Sequence, residues 1–304
     1  MRSYAILNQS NLFLSLEELK AIVKADVEYY YGVGIFDKEP FNVAKRSSLI
    51  KASGEVLVIS TDVKDIIDMV RGNCYSIGLT LPMREYKNEA LTIYNEIAKS
   101  VKLSKKCEKL DIIYTEGVII AGIRKEEKDT KSLIEHSKKP YSQSGTLAPE
   151  IARLLVNLSQ AEKVVLDPFM GTGSILIESK WLGLNCIGID IDDKMVEKTR
   201  TNLSHFHYEC ELMKGDAEKI PLREIEAIAT DPPYGRSFSI KEGLNSLYEN
   251  FFQSASEVTK TLVFTTDSKF DWRDKLKETG FKEISIHFVY THKSLSRAIY
   301  VVKK

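Results

Sequence analysis

Cysteine is scarce and scattered: Cys74, Cys107, Cys186 and Cys210 form no Cys-x-x-Cys pair. That pattern excludes a small disulfide framework and predicts reduced, mostly buried thiols in a cytosolic protein. No apolar run approaches the roughly 18 residues of a membrane span. Asn8, Gln9 and Asn11 interrupt the stretch where a signal-peptide core would lie. A soluble, cytoplasmic protein is the expectation. Excess charge of either sign is also missing, since Lys+Arg and Asp+Glu each number 43 among 304 residues. Bulk attraction to nucleic acid is thereby excluded, so any such contact depends on local patches and shape. The chain has no Gly-x-x-x-x-Gly-Lys, which rules out a P-loop for nucleoside triphosphates. His205, His207 and Cys210 have the look of metal ligands, but no fourth ligand stands near them. A helix-to-strand loop is the simpler meaning, and no metal is expected.

What is present divides the chain. Residues 1–57 predict a ferredoxin-like α+β unit, with strands at Ser3–Leu7 and Val27–Phe36 around a helix at Leu16–Ala25. Ser15 with Glu18 three residues on reads as a capping box for that helix. Residues 58–125 predict a second small unit. It has an alternating strand at Tyr75–Leu81, a helix at Asn88–Ser100 and a hairpin turning at Thr115-Glu116. Residues 126–148 begin in a charge run and read as a linker. From Pro149 to Lys304 strands and helices alternate, which means βαβ units and a mostly parallel sheet. The last two strands have no helix between them, so one of them must run antiparallel. The fold class is α/β, a Rossmann-like domain preceded by an α+β region.

The chemistry-bearing residues lie where those strands end. The first βα turn runs Asp167-Pro168-Phe169-Met170-Gly171-Thr172-Gly173-Ser174. Its Gly-x-Gly lets backbone approach a ligand at a helix N-terminus. The second strand ends in Asp190-Ile191-Asp192. Asp192 suits the cap of the next helix, leaving Asp190 to accept from ribose hydroxyls. Asp216-Ala217 follows the third strand, where the acid either accepts from an adenine amino group or holds a turn. After the fourth strand comes Asp231-Pro232-Pro233-Tyr234. Its two prolines stiffen the backbone and present an acid and a ring at a strand's carboxyl end. Any one of these is weak alone; their succession along one sheet edge is the signal.

This succession resembles the S-adenosylmethionine-dependent methyltransferases of the Rossmann-like class. The resemblance implies that Asp167 to Ser174 surround the methionine part, that Asp190 with Ile191 meets the ribose, and that Asp216 with Ala217 holds the adenine. Asp231, Pro232, Pro233 and Tyr234 are then the catalytic turn of enzymes that methylate an exocyclic amino nitrogen. Lys139-Pro140-Tyr141, Ser144-Gly145-Thr146-Leu147-Ala148-Pro149, Asp231 to Ser237 and His292 to Arg297 are similar to the tRNA guanine-10 N2-methyltransferases. Val101-Lys102-Leu103, Asp111–Tyr114 and Gly117–Ile120 look like the end of that family's THUMP domain, an RNA-binding module. The likeness is specific over 139–304 and thin over 1–125. It implies S-adenosylmethionine as cofactor, with Thr146 and Leu147 beside it, and tRNA as partner. It implies RNA contacts at Lys102, Lys105, Lys106, Lys139, Arg236, His292 and Lys293. For some members it also implies a small zinc-binding activator subunit.

Three functions follow from this reading. The first is methyl transfer to N2 of guanine 10 in tRNA, once or twice. The second is adenine-N6 or cytosine-N4 methylation of DNA, since the Asp231 turn recognises only an aromatic amine. The third is a non-catalytic RNA-binding protein, against which the intact Asp190, Asp216 and Asp231 argue.

Overall fold

The computed structural model describes residues 1–143, 145–234, 241–292 and 295–304. The chain divides into two compact units, Met1–Asp129 and Thr130–Lys304.

The first unit comprises β1 (Ser3–Leu7), α1 (Leu12–Val23), β2 (Val27–Tyr30), β3 (Val33–Phe36), β4 (Ile50–Ser60), α2 (Val63–Val70), β5 (Cys74–Thr80), α3 (Lys87–Ser100), β6 (Lys102–Leu103), β7 (Lys109–Thr115) and β8 (Val118–Glu127). All eight strands join one sheet in the order β2-β3-β1-β4-β8-β7-β5-β6. The expected boundary at 57/58 therefore falls inside β4, which pairs with β1 over its first half and with β8 over most of its length. The predicted strand at Val27–Phe36 is a hairpin, broken where Gly32 adopts φ +81°. The β7–β8 turn is Glu116-Gly117, both at positive φ, one residue beyond the expected pair. Ser15 does not cap α1; it lies inside the helix and its hydroxyl donates to the Asn11 carbonyl. Glu18 is fully buried and collects Ser47 Oγ and the backbone N–H groups of Ser48 and Leu49. A pattern that reads as a capping box thus anchors a loop instead. At the unit's centre, buried Asp111 accepts from Tyr4 Oη at 2.6 Å and from Arg124 through two nitrogens at 2.6 and 2.7 Å. This is a paired, hydrogen-bonded burial of the kind a buried carboxylate requires.

The second unit comprises α4 (Thr130–His136), α5 (Pro149–Leu158), β9 (Val164–Asp167), α6 (Ser174–Trp181), β10 (Asn185–Asp190), α7 (Asp193–His205), β11 (Glu211–Lys214), β12 (Ala227–Thr230), α8 (Lys241–Val258), β13 (Thr261–Asp267), α9 (Arg273–Glu278), β14 (Glu283–His292) and β15 (Leu295–Lys303). Helix α4 and the end of β8 lie within the stretch expected as linker. Leu133 and His136 of α4 are buried, so that stretch is structured rather than a free spacer. The sheet order is β11-β10-β9-β12-β13-β15-β14, parallel except for β15, which runs antiparallel to both its neighbours. The chain moves from β9 outward to β11, then returns to place β12 on the other side of β9. That reversal is the topological switch point where open α/β sheets bind ligands. One hydrophobic core gathers Leu166 and Ile228 with Tyr248, Phe251 and Phe252 of α8, Leu276 of α9 and Trp272 before it. A second packs Leu176 of α6 and Val196 of α7 over Cys186.

Both cysteine pairs are bonded, Cys74 to Cys107 and Cys186 to Cys210. This corrects the expectation of reduced thiols. Sequence spacing hid the pairs because each joins chain segments 33 and 24 residues apart, which only the sheets bring together. Cys210 is accordingly no free thiol for a metal.

Candidate active site

Strands β9 and β12 are adjacent, with Ile228 opposite Leu166, so the turns that follow them emerge side by side. Thr230, the last residue of β12, donates to Asp167 Oδ1 at 2.6 Å and ties the two turns together. The glycine turn owes its shape to Gly171 and Gly173, with φ of +50° and +81°. A Cβ on Gly173 would stand 2.7 Å from Thr199 Cγ2, so both conformation and space demand glycine. At Gly171 a Cβ would meet nothing closer than 4.0 Å, which leaves that face of the turn open. Gly171 N–H donates to Asp190 Oδ2 at 2.9 Å, and Asp192 N–H to Asp190 Oδ1 at 2.9 Å. Each Asp190 oxygen keeps acceptor capacity for a further donor. Ile191 beside it is 70% exposed, an apolar surface held out at the sheet edge. Asp192 caps α7 through Lys194 N–H, as expected. Asp216 caps a short turn through Glu218 N–H, with Ala217 buried behind it. An open glycine turn at a helix N-terminus, an acid with spare acceptor sites and an exposed apolar side chain fit a nucleoside with an amino-acid tail.

Two side chains, Asn202 and Thr199, whose roles are invisible in the sequence, brace this turn. Buried Asn202 of α7 donates to the Thr172 carbonyl at 2.8 Å and to the Tyr141 carbonyl at 2.9 Å, and accepts from Tyr141 N–H. Thr199 donates to the Gly171 carbonyl at 2.7 Å. Tyr141 is thereby pinned against the glycine turn. Thr146 Oγ1 accepts from Gln143 N–H, and the Leu147 carbonyl accepts from Ser174 Oγ at 3.2 Å.

The Asp231 turn is wired to two more strands. Asp231 Oδ1 accepts from Tyr234 Oη and from Thr265 Oγ1 of β13. The two hydroxyls are 2.8 Å apart, and Arg297 Nε of β15 donates to Tyr234 Oη at 2.9 Å. Burial holds the Asp231 carboxyl above the ordinary carboxylate range, opposed by Arg297 and by the Thr265 and Tyr234 hydroxyls. Asp167 is pushed up to about 7, chiefly by burial, while Thr230 and Phe169 N–H oppose the rise. Asp190 is raised for the same reason. Burial, then Asp231 beside it, raises the Tyr234 hydroxyl.

The structure brings Asp167, Gly171, Gly173, Asp190, Asp231 and Tyr234 to one edge. Lys139 is a correction. It is only 8% exposed and donates to Ser174 Oγ at the start of α6. Burial lowers its ammonium to about 8, with Glu178 opposing. The turn after α4 carries it inward, so it is no surface contact for a phosphate. Arg236 and Lys293, and the side chain of His292, lie outside the described residues, as does Ser144. Lys102, Lys105 and Lys106 are exposed in the first unit.

These features define a class, the Rossmann-like methyltransferases. A family model described as an RMKL-like methyltransferase domain matches residues 136–297. Another, described as a DNA methylase, matches residues 35–201 and so ends before the Asp231 turn. The crystal structure of TrmN from Thermus thermophilus superposes with a TM-score of 0.53 at 18% identity, covering all of both chains. That likeness concerns fold alone. More narrowly, the chain belongs to the tRNA (guanine(10)-N2)-dimethyltransferase family. It is 35% identical to the Pyrococcus abyssi protein of that name, across 95% of this chain and 94% of the relative. The Methanothermobacter thermautotrophicus relative is 37% identical over 55% of this chain and 52% of its own.

Proposed function

We propose that this protein transfers methyl groups from S-adenosylmethionine to N2 of guanine 10 in tRNA, once and then again. The observation that carries the reading is kinship over nearly the whole of both chains, joined to an Asp-Pro-Pro-Tyr turn beside an open glycine turn. The cofactor, held by the glycine turn, Asp190, Ile191 and Asp216, supplies an electrophilic methyl. The protein's task is to prepare the nitrogen. An amino group conjugated to a base ring is a poor nucleophile because its lone pair is delocalised. Asp231 Oδ2 and the Pro232 carbonyl accept its N–H bonds, which favours a pyramidal nitrogen with a localised pair. Positioning in a near-attack geometry supplies most of the gain. The nitrogen becomes acidic on methylation and sheds its proton without a strong base. Tyr234 bounds the pocket for a base splayed out of its stack.

Residues 58–125, with exposed Lys102, Lys105 and Lys106, are proposed as the THUMP-like module that presents the tRNA. Among the described residues no helix is long and apolar enough to cross a membrane, and a cytoplasmic site of action is part of the proposal. A zinc-binding activator subunit, as the resemblance implies for some members, is required only if pure protein is inactive. The test is mass spectrometry of tRNA nucleosides after incubation with pure protein and labelled cofactor. Label in N2-methylguanosine and N2,N2-dimethylguanosine, lost when guanine 10 is replaced by adenine, is expected. Label retained after that replacement, or found in an adenine or cytosine of DNA, overturns the assignment.

A further inference from the structure

Arg297 is not part of the Asp-Pro-Pro-Tyr turn, yet it ends in it. It stands on the antiparallel strand β15, opposite Asp267 of β13, and is 7% exposed. Its Nε donates to Tyr234 Oη at 2.9 Å, and its guanidinium carbon lies 5.7 Å from the Tyr234 ring centroid. A guanidinium has only donors. The Tyr234 oxygen therefore accepts from Arg297, and its own proton points to Asp231 Oδ1. Thr265, within 2.8 Å of the same tyrosine oxygen, also donates to Asp231 Oδ1. The result is a directed chain from cation to hydroxyl to carboxylate, with a second hydroxyl as brace. Such chains polarise their members and strengthen one another. Both hydroxyls converge on one carboxylate oxygen, and among the described residues none reaches the other, Oδ2.

We infer that Arg297 is a positioning residue, which through the Tyr234 hydroxyl locks Asp231 with Oδ2 presented to the target amino group. The inference rests on the reading of Asp231 as acceptor of that amine. It adds a device that the four-residue turn lacks by itself. Asp-Pro-Pro-Tyr sets the backbone, but a carboxylate can rotate about its last bond. The two hydroxyls stop that rotation, and Arg297 decides which way the tyrosine proton points. Among the described residues, the groups that face Asp231 are Arg297 from β15, Thr265 from β13, Asp167 from β9, Tyr248 from α8 and Tyr234 of its own turn. Arg297 is the one cation among them. Without it the carboxyl takes up a proton more readily, and a protonated acid presents a donor where an acceptor is needed.

The test uses the full-length protein and compares Arg297→Met, Arg297→Lys and Tyr234→Phe. Arg297→Met is expected to lower kcat roughly 100-fold, the scale of an ångström misplacement of a reacting group. The KM for tRNA and the calorimetric affinity for cofactor stay within threefold (~0.7 kcal/mol). The acid limb of the kcat profile moves to higher pH, and Arg297→Lys returns part of the rate and part of the shift. Tyr234→Phe severs the same chain while leaving both charges, Arg297 and Asp231, in place, and it moves the limb in the same direction. An unmoved acid limb in both Arg297→Met and Tyr234→Phe overturns the inference, as does a loss confined to KM. The profiles are measured on whichever amine the wild type methylates. A wild type that prefers another amine overturns the guanine-10 reading, while the limb shift still decides the role of Arg297.

Discussion

At the residue scale, the acids at the strand ends were legible and their partners were not. Asp167, Asp190, Asp192 and Asp231 declare themselves because each follows an apolar run and precedes a turn. Thr230 and Thr265 declare nothing, since a polar residue in a strand is commonplace until the neighbouring strand is known, and the segment His292 to Arg297 resembles the family's without showing what Arg297 touches. The pairing of β9 with β12 and of β13 with β15 is what gives them meaning. Asp167 shows what burial of such an acid costs. Asp167 is 2% exposed, and burial pushes its carboxyl up to about 7 in the fold, against about 3.9 in an unfolded chain. A raised folded pKa means that the native state holds a proton the unfolded state has released. Stability from this residue is therefore fully present below about pH 4 and declines as pH rises to about 7. Above that the loss is complete. Asp167→Asn removes the ionisation and keeps an acceptor for Thr230. The variant should melt higher than wild type, by a margin that grows from about pH 4 to about pH 7 and then levels off. Thermal melts across that range check it, and a margin independent of pH would show that Asp167 does not titrate there.

At the element scale, strand and helix identities from Pro149 onward follow from periodicity, while α4 lies in the stretch read as linker and the first unit differs from expectation at its joints. The predicted boundary at 57/58 cut an eleven-residue strand, because β4 looks like two short runs on either side of Glu55 and its length shows only in pairing with β1 and β8. Glu18 fitted the spacing of a capping box, and tertiary demand from the 47–49 backbone took it instead. Where local conformation alone sets the residue, the sequence reading held, and the glycine turn is the clearest instance. Gly173 serves as N-cap of α6 in the left-handed region and lies against Thr199. Gly173→Ala should destabilise the second unit by about 1–3 kcal/mol through backbone strain and contact together. Thr199→Ser removes the offending methyl and keeps the hydroxyl bonded to the Gly171 carbonyl. Added to Gly173→Ala it should return the contact part of the loss and leave the conformational part. Denaturant titration of the three variants separates the two. No recovery in the double variant would place the whole cost in the backbone.

At the scale of the whole molecule, a balanced charge has to be reconciled with a polyanionic partner. Equal numbers of basic and acidic residues give no general attraction, so affinity must be concentrated. Lys99, Lys102, Lys105 and Lys106 are all exposed around the short strand β6, together with Leu103 at 60% exposure. Nearby Lys109 and Lys125 are engaged with Glu127, Glu55 and Glu108. The bond from Cys107 to Cys74 and the pairing of β6 with β5 hold this loop at the sheet's edge. A fixed cluster of lysines loses less entropy on meeting phosphates than a floppy one. If Lys102, Lys105 and Lys106 each neutralise one phosphate, replacing all three by Gln removes three released counterions from the binding equilibrium. The slope of log affinity against log salt for tRNA should then become shallower by about 2–3, at roughly 0.7–0.9 per contact. Methylation of a saturating tRNA concentration should proceed at the wild-type rate, because the catalytic turn is untouched. Binding isotherms across a salt titration check the slope. A triple variant that binds more weakly at every salt concentration with the slope unchanged would mean that these lysines shape the loop without touching the backbone of the RNA. The phosphate contacts of the first unit would then have to be sought on another face.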